Sequence, residues 1–303
     1  MKTPADFAAA AEELEAVRDV LRFAVTTFNA AGLAFGHGFA DARAEAAYLI
    51  AWALDLPHAG FDEYVDARLT RAEIRSVMAL LRRRAEERMP SPYLTGEAWL
   101  GDYRFHVDER VLVPRSFIAD LLFTQLSPWI TDPASVRLAL DLCTGSGCLA
   151  VLLAEAFPEA QVDGVDVSDA ALEVAHRNVV DYALQDRVRL IQSDLMNALP
   201  EVRYDLIVSN PPYVVAAAMD DLPAEYRREP DLALRGGTDG LDLVRRIIAQ
   251  AADRLSPGGL LVVEIGYNRA ALEAAYPATP FTWLETHAGD DFVFLLTRED
   301  LPR

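Results

Sequence analysis

Hydrophobic positions along the chain change their period, and the changes divide it. Up to about residue 90 they recur at three- and four-residue steps, as in helices with one covered face. Leu14, Val17, Leu21, Val25 and Phe28 form one such stripe. Asn29–Gly38 (NAAGLAFGHG) interrupts it, and Ala42–Leu54 resumes it as far as Pro57. Thr70 and Glu73 are spaced as a capping box ahead of Ile74, Val77, Met78 and Leu81. This predicts a small helical domain over 1–90. Pro90 and Pro92 then mark a linker, and Tyr93–Arg115 alternates as two strands with a turn near Gly101-Asp102. With a helix over Ser116–Leu126, the segment 91–130 reads as a hairpin connector.

From 131 to 303 the pattern alternates between short apolar runs and helical stripes. Strands are expected at Arg137–Leu142, Gln161–Asp166, Val188–Gln192, Leu206–Val208 and Leu260–Ile265, with two more near Phe281–Glu285 and Phe292–Thr297. Helices are expected at Cys148–Phe157, from Ser168 to about Tyr182, and over Gly240–Leu255. Apolar runs without alternation suit strands covered on both faces. Regular β-α succession therefore predicts an α/β domain built on a doubly wound, mostly parallel seven-stranded sheet.

Whole-chain properties narrow the function classes. The 303 residues are 52% hydrophobic and 25% charged, which fits a soluble, two-domain protein. No stretch is long and apolar enough for a membrane span, and Met1–Ala10 lacks the basic start and apolar core of a signal peptide, so a cytoplasmic location is expected. A net charge of −19 argues against direct binding of duplex DNA and favours a basic protein partner. Lys2 is the only lysine, which leaves no catalytic lysine. Seven arginines against three acids between Arg68 and Arg88 read first as a solvated helix face, and second as a contact for an acidic partner or RNA. Cys143 and Cys148 read as buried small residues, and the five histidines form no ligand-spaced cluster, so no metal site is expected. Oligomeric state has no sequence signal.

The candidate chemistry centres on DLIVSNPPY, 205–213. An apolar strand ends there in Asn210 and two prolines, which lack N–H donors and fix φ, so the chain leaves the sheet as a stiff extended loop. Open α/β sheets bind ligands at such carboxyl edges. The Asn210 amide carries one acceptor and two donor hydrogens, which match a second planar amide or an aminopurine edge. A backbone carbonyl of the Asn-Pro-Pro run can take the second N–H, and Tyr213 can cover the flat face. The plain structural alternative is a proline turn closing a strand.

A second cluster supports the chemical reading. Leu138–Gly147 (LALDLCTGSG) is a strand followed by a glycine turn whose amides can approach a ligand closely. Gly145-Ser146-Gly147-Cys148-Leu149-Ala150 fits G-x-G-x-x-A with Asp166 about twenty residues on, so an NAD-linked oxidoreductase competes here. Asp141 and Asp166 weigh against it, because carboxylates at adjacent strand ends suit a ligand with an ammonium, a sulfonium and a ribose and repel a diphosphate. Asp166 can accept both ribose hydroxyls, and Asp194 ends a third strand where an adenine amino group fits. S-adenosylmethionine has all of these parts.

LDLCTGSG, Asp166, Ser193-Asp194 and NPPY together resemble the class I S-adenosylmethionine-dependent amino-methyltransferases. YLTGEAW, VLVPR and the helical amino-terminal part narrow this to protein-glutamine methyltransferases. FGHG at 35–38, EERMPSPYLTGEAW at 86–99, VDERVLVPRS at 107–116 and LPAEYRREPDLAL at 222–234 resemble the branch that modifies the third large-subunit ribosomal protein. The resemblance implies cofactor contacts from Asp141, Cys143, Thr144, Gly145, Ser146, Gly147, Asp166, Val167, Asp194, Leu195 and Asn210. It implies catalysis and glutamine binding by Asn210, Pro211, Pro212 and Tyr213, with Arg115 on the substrate side, and a helical domain that recognises the protein substrate. Cys143 stands where the turn commonly has its first glycine, which asks for an ordinary φ there, and Phe117 stands where the ribosomal branch tends to have proline. The expected activity is methyl transfer to a glutamine side-chain amide of a basic ribosomal protein. The alternatives are the same reaction on peptide-chain release factors, an adenine amino-methyltransferase, the oxidoreductase above, and a non-catalytic binding module.

Overall fold

A computed structural model describes residues 5–302. The signal-peptide reading of Met1–Ala10 therefore rests partly on residues 1–4, and that of Lys2 wholly, outside the described residues. Two compact units emerge: residues up to Glu97 with Leu222–Arg228, and Ala98–Asp221 with the chain from Glu229 onward. These bounds differ from the three sequence segments. The first unit runs a short helix past 90, and the hairpin lies mostly within the second.

The first unit is built from α1 (Phe7–Glu13), α2 (Val17–Ala31), α3 (Ala42–Ala53), α4 (Arg71–Glu86) and α5 (Ser91–Thr95). The stripe expected from Leu14 is out of phase, because the chain breaks after Glu13 and α2 buries Val17, Val20, Ala24, Thr27 and Phe28. Leu21 and Val25 stay half-buried. The Thr70–Glu73 capping box forms as its spacing predicts, with the Thr70 amide donating to the Glu73 carboxylate at 2.7 Å.

The arginine-rich α4 is not simply a solvated face. Arg82 and Arg83 pair outward with Glu86 and Glu87, whereas Arg84 is fully buried. Its guanidinium donates to Glu45 at 2.8 Å, to Glu225 at 3.1 Å and to the Ala34 carbonyl at 2.8 Å. Arg88 adds a second donor to Glu225 at 3.1 Å. Both carboxylates are buried, so the pairing removes a desolvation cost that either charge alone would carry. Leu222–Arg228 is thereby fixed in the first unit by Glu225, and Tyr226 lies against the His37 ring at 4.5 Å.

The second unit opens with a hairpin, β1 (Glu97–Leu100) and β2 (Tyr103–His106), and the short α6 (Ile118–Phe123). Residues 107–115, expected as strand, form no ladder. The sheet consists of β3 (Leu138–Leu142), β4 (Gln161–Asp166), β5 (Val188–Gln192), β6 (Tyr204–Ser209), β7 (Leu255–Glu264), β8 (Thr282–Thr286) and β9 (Gly289–Thr297), in the order β5-β4-β3-β6-β7-β9-β8. Only β9 runs antiparallel to its neighbours. Helices α7 (Cys148–Ala156), α8 (Asp169–Asp181), α9 (Asp231–Leu234), α10 (Asp242–Arg254) and α11 (Arg269–Ala275) complete the unit, with separate apolar cores on the two sheet faces. The chain winds outward from β3 through β4 to β5, then returns to β6 beside β3, so the switch point lies between β3 and β6. Among the described residues no helix is long and apolar enough to cross a membrane.

Candidate active site

The carboxyl ends of β3 and β6 are tied together before either chain leaves the sheet. Ser209 Oγ donates to the Leu142 carbonyl at 2.8 Å, which fixes Asn210 beside Cys143. After Leu142 the chain turns sharply, with the Thr144 amide donating to Val165 and the Gly147 amide to Thr144. Cys143 takes φ +60, not the ordinary φ its side chain leads one to expect. This left-handed conformation is what glycine adopts without strain, and the turn imposes it on a cysteine. Burial pushes the Cys143 thiol well up and the Cys148 thiol up to about 12, so both are inert neutral groups.

A cleft opens at this switch point, at the carboxyl ends of the strands. Of the residues expected at the cofactor, Cys143, Gly145, Asp166, Val167, Asp194, Leu195 and Asn210 line it, together with Pro212. Thr144, Ser146, Gly147 and Pro211 sit behind the wall as buried supports. Tyr213 and Arg115 do not line the cleft. Arg115 instead grips the buried Glu229 through both terminal nitrogens, at 2.7 and 2.6 Å.

Asp166 and Asp141 have different roles. Asp166 accepts from the Gly145 amide on one oxygen and the Ser168 amide on the other, each at 2.9 Å. Each oxygen keeps a lone pair for a hydroxyl in the cleft. Burial raises its pKa, and backbone amides oppose that shift. Asp141 is fully buried below the turn, where it was expected to face a ligand cation directly. One of its oxygens takes the Thr144 hydroxyl at 2.5 Å, and Oδ1 has no partner among the described residues. Burial first, with repulsion from Asp166, lifts its carboxyl to about 7. Asp194 lines the cleft, half-exposed and paired with Arg246 at 2.7 Å.

Three wall segments had no sequence-level role: Arg110–Leu112, Ser168 with Ala171 at the start of α8, and Pro230, Leu232 and Ala233 around α9. Ser168 carried one signal, its N-cap position. The others reach the cleft from distant sequence. A cofactor with a ribose fits this set. Asp166 offers two oriented oxygens, and no atom lies within 4 Å of where a Gly145 Cβ would stand.

The strand order and the cleft at the β3–β6 switch define a class I methyltransferase. The family profile "Methyltransferase small domain" matches residues 119–225. The catalytic domain of hMettl16, solved with a MAT2A 3′UTR hairpin, shares the fold at a TM-score of 0.50 over 74% of this chain and 80% of its own, at 17% identity. Full-length likeness is far stronger to proteins named ribosomal protein uL3 glutamine methyltransferase. That of Neisseria meningitidis serogroup B is 58% identical over 97% of both chains, and that of Bordetella pertussis 56% identical over 96% of this chain and 97% of its own. That of Burkholderia pseudomallei is 52% identical over 94% and 95% respectively. The chain belongs to the family of protein-glutamine methyltransferases, which use S-adenosylmethionine as methyl donor.

Proposed function

We propose that this protein methylates the side-chain amide nitrogen of a glutamine in ribosomal protein uL3. The carrying observation is Asn210, placed on the cleft wall by a strand tied to the cofactor turn and followed by two buried prolines. When bound, S-adenosylmethionine supplies an electrophilic methyl group. Asp166 would hold its ribose and Asp194 its adenine amino group, with Cys143 and Gly145 lining the cleft beside them. An amide nitrogen is a weak nucleophile because its lone pair is delocalised into the carbonyl. The Asn210 side-chain oxygen and a backbone carbonyl of the Asn-Pro-Pro run accept its two N–H bonds, which raises electron density on nitrogen and aims it. The Asn210 NH2 donates to the glutamine carbonyl. No base is needed before transfer, because the proton leaves the nitrogen once it has been alkylated.

The helical unit serves recognition of the protein, and a net charge of −19 attracts a basic ribosomal protein while disfavouring duplex DNA. Such a substrate places the enzyme in the cytoplasm. The test is transfer of labelled methyl to purified uL3 with peptide mapping, alongside DNA as an alternative acceptor. Asn210→Ala should lower kcat by about a hundredfold, a larger loss than any in cofactor affinity. Label entering DNA adenine, or near-normal turnover of Asn210→Ala on uL3, overturns this reading.

A further inference from the structure

Tyr213 lies just outside the cleft and is gripped at four separate points. Its hydroxyl donates to Glu264 Oε1 at 3.0 Å, at the end of β7. Its carbonyl accepts from Asn268 Nδ2 at 2.8 Å. A Cβ on Gly236 would stand 2.6 Å from the Tyr213 Cα, one on Gly266 would stand 2.6 Å from the ring edge, and one on Gly240 would collide with the carbonyl oxygen. The next residue is laced in as well, since the Val214 amide donates to Leu234 and the Gly236 amide to Val214, both at 2.8 Å.

Packing alone would not call for this set of residues. Glu264 is 1% exposed and serves only as an acceptor: its second oxygen takes the Ser116 hydroxyl at 2.7 Å and the Phe117 amide at 2.9 Å. Burying a carboxylate is costly, and an apolar pair of the same volume would fill the space with less penalty. What the carboxylate adds is direction, because it fixes one phenol oxygen and, through 116–117, the chain beside Arg115. The glycines add closeness on the remaining sides.

We infer that Glu264 and Asn268, with Gly236, Gly240 and Gly266, are positioning residues that hold the Tyr213 ring at the depth where it can cover the acceptor amide. This rests on the glutamine reading above. A ring displaced by an ångström loses its stacking distance, and misplacement of that size costs on the order of a hundredfold in rate when geometry sets the barrier.

The test is a double-mutant cycle on uL3 methylation with Glu264→Gln and Tyr213→Phe, reading kcat, KM for uL3 and the Kd of S-adenosylhomocysteine. If Glu264 acts through the phenol, each single variant lowers kcat by about tenfold and the double variant is no slower than the slower single. KM and Kd then stay within twofold. Multiplication of the two losses, or a change confined to KM or Kd, overturns the inference. Should Glu264→Gln fail to fold, Gly236→Ala decides. It removes no hydrogen bond and asks for no left-handed backbone, but sets a methyl group 2.6 Å from the Tyr213 Cα, so a tenfold loss of kcat supports the cradle and an unchanged kcat refutes it. Asn210→Ala separates the two ideas: normal cradle variants with an inactive Asn210→Ala sink only the cradle, whereas an active Asn210→Ala sinks the glutamine reading itself.

Discussion

Replacing Asp166 by alanine gives a quantitative test of the cofactor site. The carboxylate oxygens each hold one backbone amide at 2.9 Å, from Gly145 and Ser168, and each has capacity for one ligand hydroxyl. Loss of the charge-assisted bonds to a ribose costs roughly 1.5–3 kcal/mol. Releasing the Gly145 amide loosens the turn and adds about 1 kcal/mol. The sum, about 2.5–4 kcal/mol, corresponds to a roughly 70- to 900-fold weaker Kd. Isothermal titration with S-adenosylhomocysteine measures it directly. A 2′-deoxy analogue separates the two contributions, since it should bind wild type more weakly yet lose much less on the Asp166→Ala change. Asp166→Asn should be no rescue, because its NH2 must face one of two backbone N–H groups. An alanine variant that binds within threefold of wild type while melting at lower temperature would show that Asp166 only tethers the turn.

Two further outcomes concern the same turn. Asp141 titrates at about 7 in the folded protein against about 4 unfolded, so the folded state alone holds its proton between those values. Its contribution to stability is full below pH 4 and is lost as pH rises through 7, by up to about 1.4 kcal/mol per unit, and urea titrations should show Asp141→Asn flattening that fall. At Cys143, held at φ +60, Cys143→Gly should be more stable than Cys143→Ala by about 1 kcal/mol, the reverse of the usual order; equal melting temperatures would contradict a strained turn.

The parallel strands were legible because each is a short apolar run bounded by turn residues, and burial on both faces leaves that signal local. Gln161–Asp166 and Val188–Gln192 fall at their expected bounds for this reason. Residues 107–115 misled, because Val111 and Val113 alternate as in a strand but are buried by tertiary contacts, with the Val113 amide donating to the distant Glu229 at 3.0 Å. The site divides in the same way. Asn210 and Asp166 sit at strand ends that periodicity locates. Pro230, Leu232 and the socket around Tyr213 depend on contacts across tens of residues, which no local pattern encodes. Cys143 failed for a different reason, since its residue type contradicts the backbone that the turn imposes.

The helical unit is discontinuous in sequence, and that sets an order of events during synthesis. Its buried Arg84 emerges from the ribosome with Glu45 already made, but Glu225 follows only after all of the sheet's first four strands. Domains generally fold as units, amino-terminal part first. Here the first-made part lacks one of its two buried counter-charges until residue 225 is available. The helices can gather early, but they lock only when the strap from the second half of the chain has been delivered. A carboxyl-terminally truncated nascent chain, halted before residue 222, should therefore carry a helical unit that is collapsed yet protease-sensitive, and extension past residue 228 should confer resistance.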